Sequence, residues 1–152
     1  MTAQIGEIIS YKGEDLMMAS EPLNSYLASR RFTNFDTQST ACWRNYYGKW
    51  AIKNNKLYLV DFEAYINGGH KVDLNYLFPN AEEVFANWFT GDIRIPTGKL
   101  LKYVHMGYAS IFEKDLILQF RNGILLSEKE INNREGFGKK LFGIMKRLFS
   151  KN

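Results

Sequence analysis

The chain has 152 residues, a single cysteine (Cys42) and a formal charge of +4. That length buries roughly 68–70% of the unfolded surface in one core, so neither disulfides nor a structural metal is needed for folding. A lone cysteine excludes an intramolecular disulfide framework and any multi-cysteine zinc or iron–sulfur centre.

The charge is unevenly placed. Lys139, Lys140, Lys146, Arg147 and Lys151 follow Phe137 with no acid among them, and taking that +5 from +4 leaves residues 1–136 at −1. The body therefore presents no excess of positive charge to draw nucleic acid, and no specific nucleic-acid partner is expected. The opening MTAQIGEIISYKGED lacks a basic stretch followed by an apolar run of signal-peptide length. No apolar segment reaches the roughly 20 residues that span a bilayer. A bacterial cytoplasmic protein is the expectation, with the tail able to place it at the inner membrane face.

In chain order, QIGEIISY (Gln4–Tyr11) reads as a strand that turns through Lys12-Gly13-Glu14-Asp15 into LMMA. SEPLNSYLASRR predicts one or two helical turns, with Ser20 as the cap and Pro22 in the first turn. TACWRNYY and KWAI are aromatic and β-branched runs, and Asn54-Asn55 forms a hairpin turn into LYLVDFEAY. Asn67-Gly68-Gly69 supplies the next turn.

FPNAEEVFANWFTG predicts a helix near 81–89. Asn80 and Glu83 form a capping-box-like pair, Val84, Phe85, Trp88 and Phe89 share one side, and Gly91 ends it. DIRI, LLKYVHMGYASIF and DLILQF then read as strands, with Pro96-Thr97-Gly98 as a hairpin turn between the first two. Arg121-Asn122-Gly123 turns into ILLSEKEI, and INNREGFG marks a hinge at about 131–138. Beyond it, Phe137, Leu141, Phe142, Ile144, Met145, Leu148 and Phe149 fall on one arc at helical spacing, opposite the basic residues. This predicts a basic amphipathic C-terminal helix (137–152) that docks on its own domain, on a membrane surface through Lys139, Lys140, Lys146 and Arg147, or on a protein partner.

The expected fold is mainly β: a strongly bent antiparallel sheet, roll or partly closed barrel of seven to nine strands over residues 1–136, with one short internal helix. A two-layer α+β arrangement is the alternative.

No strong chemical motif survives inspection. IPTGKL fails as a phosphate loop, because Gly91 precedes Gly98 by seven residues where five are required, and Leu100 replaces the hydroxyl residue. His105 and His70 are the only histidines, which rules out a multi-histidine metal site, and no cofactor is indicated. If 101–108 is a strand, Leu101, Tyr103, His105 and Gly107 share one face. Arg44, Tyr46, Trp50, Tyr103, His105 and Tyr108 are the candidates for contact with a protein partner or small ligand, since aromatics beside a cation make a stacking or docking surface. The favoured function is thus a non-enzymatic binding or protein-interaction module. The alternative is a small enzyme using His105 with Cys42, Asp61 or Glu63 in a barrel-like pocket.

Two longer strings resemble a family of small uncharacterised bacterial proteins. They are STACWRNYYGKWAIKNNKLYLVDF (Ser39–Phe62) and LFPNAEEVFANWFTGDIRIPTGKLLKYVHMGYASIFEKDLIL (Leu77–Leu118). The resemblance spans roughly residues 16–120, leaves the tail outside, and implies no activity, cofactor or catalytic residue.

Overall fold

Four turns in the left-handed backbone region divide the chain into hairpins. They fall at Lys12-Gly13, Asn54-Asn55, Asn67-Gly68 and Asn122-Gly123, with φ between 49° and 80° at all eight residues. Asparagine and glycine tolerate positive φ, and paired left-handed residues match the twist of the strands they join. In the computed structural model, which describes residues 3–32 and 34–134, these turns separate elements close to those expected.

The elements are β1 (Glu7–Tyr11), β2 (Glu14–Met18), α1 (Asn24–Ser29), β3 (Tyr46–Lys53), β4 (Lys56–Ile66), β5 (His70–Val72), α2 (Leu74–Leu77), β6 (Val84–Phe85), β7 (Gly91–Lys102), β8 (Ile111–Arg121) and β9 (Ile124–Asn132). The fold is mainly β. The nine strands of the described residues form one sheet in the order β2-β1-β3-β4-β9-β8-β7, with β5 and β6 both paired to β4. The sheet is mixed and not wholly antiparallel, because β1 and β3 run parallel. A parallel pair needs a crossover, and residues 19–45, which carry α1, make it.

The sheet curves, and along its path the ladder between β4 and β9 is the shortest. Those strands share a single register pair, Lys56↔Ile124, flanked by bonds from Leu57 N–H to the Gly123 carbonyl and from Leu125 N–H to the Asn55 carbonyl. The bend brings the edges β2 and β7 together. Ala19 N–H donates to the Arg94 carbonyl (2.8 Å) and Arg94 N–H to Ser20 Oγ (3.0 Å). No ladder forms between those edges, so the sheet does not close into a barrel. Trp50, Tyr46, Phe62, Phe120, Ile93 and Leu118 fill the space inside the bend.

Several expectations are corrected. Residues 81–89 form no helix: Val84 and Phe85 pair with Leu59 and Tyr58 of β4, and Ala86 is fully buried. Asn80 has φ 64° and so lacks the extended backbone of an N-cap. The apolar spacing is real, but its residues pack as rings, with Trp88 against Tyr26 (4.8 Å) and Phe78 (6.0 Å). Helix α1 has Leu23 at its N-cap, a side chain that cannot cap, so Ser20 and Pro22 both precede the helix; the Ser20 hydroxyl instead accepts from Arg94 N–H of β7.

Pro96-Thr97-Gly98 is not a hairpin turn: Pro96 and Thr97 continue β7 in register with β8, and a bulge follows between Thr97 and Leu100. Pro96 pairs with Asp115 on the outermost strand, where its missing N–H breaks no ladder bond, and Gly98 supplies φ 82° at the bulge. The long strand expected over 100–112 is interrupted by a loop at 103–110. TACW is likewise a loop preceding β3. The expected C-terminal helix (137–152) lies outside the described residues. Among the described residues, no helix is long and apolar enough to cross a membrane.

Candidate functional site

Three segments without regular structure meet at one end of the sheet: the N-terminal residues 3–6, the loop 39–45 and the loop 103–110. Gln4 ties them together. Its N–H donates to the Gly107 carbonyl (2.8 Å), its Nε2 to the Thr40 carbonyl (2.9 Å), and its Oε1 accepts from Trp43 N–H (2.5 Å).

Arg94 anchors the 103–110 loop from beneath. Its guanidinium donates to the carbonyls of Tyr108 (2.9 Å) and Ser110 (3.2 Å), and Nε pairs with Asp115 Oδ1 (3.0 Å). Ser110 Oγ closes the loop base by accepting from Val104 N–H (2.9 Å).

Two cavities adjoin on this loop and share Gln4, Gly107 and Tyr108. The first, about 230 Å³, is walled by Met17, Ala19, Pro96, Leu100, Tyr103 and Phe112 among others. Of its walls, Tyr103 and Leu100 are half exposed (50% and 48%), as are Trp43 of the second cavity and Met106 and Ile5, the sequence neighbours of Gly107 and Gln4 (51%, 51% and 53%). Trp43 lies beside Gly107: a Cβ at that glycine would sit 3.9 Å from the indole. The second cavity, about 410 Å³, is less apolar than the first, with Glu21, Asn24, Arg44 and Tyr108 in its walls beside Trp43.

Beside the second cavity lies a buried pair of ionisable side chains, Glu7 and Arg44. The side chains of Glu7 and Arg44 are 0% and 1% exposed, with Arg44 Nε 3.6 Å from Glu7 Oε2. That distance is ion-pair contact but too long for a hydrogen bond, and Glu7 Oε2, Arg44 Nε and Arg44 Nη2 are unbonded. Glu7 Oε1 accepts from Trp50 Nε1 (3.2 Å), and Arg44 Nη1 donates to the Ile5 carbonyl (2.7 Å) and to the Tyr108 hydroxyl (3.4 Å). The guanidinium also lies over the rings of Tyr46 and Tyr47, at 5.6 and 5.2 Å. Those π-faces offset part of the missing hydrogen bonding.

Burial pushes the Glu7 carboxyl up to about 8; the attraction of Arg44 and the Trp50 bond oppose this and are outweighed. Burial works against the Arg44 charge, yet Glu7 holds its pKa above the ordinary value, so Arg44 stays cationic. Tyr108 is pushed up to about 12, first by burial, with Arg44 opposing and Glu21 adding to the rise. Its hydroxyl donates to Glu21 Oε1 (3.4 Å), bridging Arg44 and Glu21.

The residues read as contact candidates therefore divide. Tyr46 and Trp50 are core residues, 1% and 0% exposed, so neither presents its ring to a partner. Arg44 and Tyr108 join through the hydroxyl contact above the core. Tyr103 and His105 share the exposed loop, ring to ring at 4.4 Å in an edge-on arrangement.

Cys42 is buried, with Sγ donating to the Tyr46 carbonyl (3.4 Å). Asp61 and Glu63 line a separate shallow groove with Lys49 and Tyr47, and Glu63 pairs with Lys71 (3.8 Å). His105 lines neither that groove nor the two adjoining cavities. Among the described residues, no group of three or more His, Cys, Asp or Glu side chains is arranged to hold a metal ion. The tail residues Lys139, Lys140, Lys146 and Arg147 lie outside the described residues.

Two structurally central residues escaped the sequence reading. Glu7 shares strand parity with the core residue Ile9, so a charge on an apolar face was the available signal. Gly48 was a second signal, because an isolated glycine inside a strand marks close approach. A Cβ there would collide with Glu7 Oε1. Arg94 carried no comparable local signal, since its three acceptors come from residues 108–115. Comparison with protein-family models, curated proteins and solved structures finds no match for the chain.

Proposed function

We propose that this domain is a protein-interaction module whose contact face is the apolar surface around the 103–110 loop. The observation that carries this reading is the cavity of about 230 Å³ with half-exposed Tyr103 and Leu100 in its walls, on the same loop as half-exposed Met106 and the Gly107 that Trp43 lies beside. Aromatic residues and methionine are enriched in interface cores, where an anchor side chain in a pocket contributes most of the affinity. Tyr108, Glu21 and Asn24 supply the polar neighbour of that pocket, suited to a partner group that accepts or donates a hydrogen bond. The basic amphipathic C-terminal helix read from the sequence is a second docking element in this proposal. A bacterial cytoplasmic setting and membership of the small bacterial family that the two motif strings resemble belong to the same proposal.

The reading is tested by affinity capture from the source cells with three full-length baits: wild type, Met106→Asp, and Tyr76→Ala as an exposed control on α2. A protein held by wild type and by Tyr76→Ala but lost by Met106→Asp is expected. Retention of the same proteins by all three baits, or of none by wild type, would refute the contact face.

A further inference from the structure

We infer that the two adjoining cavities form one binding site for a small aromatic amine, with its ring in the apolar cavity and its ammonium group beside Glu21. Gln4, Gly107 and Tyr108 border both spaces, so one ligand can reach from the first into the second. Met17, Pro96, Leu100 and Phe112 line the first with apolar side chains, around about 230 Å³. A cavity of about 150 Å³ accepts benzene, so a substituted ring has room here. Ala19 walls this cavity and Glu21 walls the other. Two residues of chain span at most about 7 Å, a distance that a two-carbon link between ring and nitrogen covers. Arg94 holds the carbonyls of Tyr108 and Ser110, which fixes the wall common to both cavities before any ligand arrives.

The sign of the ligand's charge follows from the groups that face the second cavity. Arg44 is among its walls, but its side chain is 1% exposed, and Nη1 is engaged by the Ile5 carbonyl and the Tyr108 hydroxyl. Its unbonded nitrogens are buried. Glu21 is partly exposed, with Oε1 accepting from the Tyr108 hydroxyl (3.4 Å) and Oε2 from Asn24 Nδ2 (3.1 Å). A carboxylate offers about four lone-pair sites, so these two neutral donors leave it capacity for an ammonium group. The Asn24 side-chain carbonyl accepts from the Tyr46 hydroxyl (2.7 Å) and keeps its second lone pair. Half-exposed Trp43 borders the same space, and an indole face attracts a cation. Acceptors beside a π-face favour a cationic donor, and Glu21 repels an anion.

The site shares its apolar cavity with the contact face described above but does not depend on a protein partner, and its test uses none. Isotope-labelled full-length protein is titrated with phenethylamine, with 2-phenylethanol as its neutral match and with 3-phenylpropanoate as its anionic one. The NMR signals of Leu100, Gly107 and Trp43 are followed. Phenethylamine should shift all three saturably, with ring protons showing Overhauser contacts to Leu100 and Phe112, and 3-phenylpropanoate should bind about tenfold more weakly. Glu21→Gln should abolish that discrimination while the rest of the amide spectrum stays in place. Absence of a saturable shift with phenethylamine, ring contacts elsewhere, equal binding of all three probes, or discrimination that survives Glu21→Gln would overturn the proposal. Phenethylamine binding alongside failed affinity capture would sink the partner reading and leave this one standing. Capture without phenethylamine binding would do the reverse.

Discussion

Replacing Glu7 by glutamine removes the titration of the buried carboxyl and nearly keeps its shape. In the native protein the Glu7 carboxyl has its pKa at about 8, against 4.5 for an unperturbed glutamate. Between those values the folded state keeps a proton that the unfolded state has released. Stability therefore falls as pH rises through that window and levels off above about 8. One pKa unit corresponds to about 1.4 kcal/mol, so between about pH 5.5 and pH 8 this residue alone withdraws on the order of 3 kcal/mol. Glu7→Gln cannot lose that proton. Urea denaturation of both proteins at several pH values measures the difference. The variant's stability should decline less steeply, with the gap opening by about 3 kcal/mol across the range. Parallel curves would refute the reasoning, because they would mean that Arg44, 3.6 Å away, keeps Glu7 ionised despite its burial.

Three further outcomes follow from the same geometry. Gly48→Ala sets a Cβ against Glu7 Oε1 and should destabilise by about 1–3 kcal/mol. Adding Glu7→Ala should recover part of that loss, and additive losses in a double-mutant cycle would count against the contact. Arg94→Lys removes the fork that holds the carbonyls of Tyr108 and Ser110, at a cost of about 2 kcal/mol. Hydrogen exchange should accelerate over 103–110 and stay unchanged in β3 and β4; uniform acceleration would show that Arg94 acts on the whole fold. Gly123→Ala combines φ 79° with a Cβ only 2.5 Å from the Ala86 carbonyl oxygen. It should cost more than about 2 kcal/mol, read as a lowered melting temperature, and a loss below about 1 kcal/mol would mean that β6 moves aside cheaply.

The turns were readable because their chemistry is local: asparagine and glycine announce a left-handed backbone whatever lies far along the chain. The same holds for the β-rich character of residues 46–66 and 111–132, where β-branched and aromatic runs stand between those turns. Helical spacing at 84–89 misled, because the open edge of β4 captured Val84 and Phe85 as a strand. Pro96-Thr97-Gly98 misled for a related reason. The same three residues suit a turn or an edge strand with a bulge, and pairing with β8 selects the strand.

The candidate site divides along the same line. Tyr103, His105 and Tyr108 drew attention as a local cluster, but whether each side chain faces core, loop or cavity depends on the hydrogen bonds of Gln4 and Arg94 to that loop. Neighbouring residues carry enough information to set turns and strand character in advance. The parallel β1–β3 pairing, the near-meeting of the sheet edges and the burial of Glu7 against Arg44 do not arise from neighbours. They join residues 37 to 75 positions apart, and only the packed chain brings such distant groups within reach of one another.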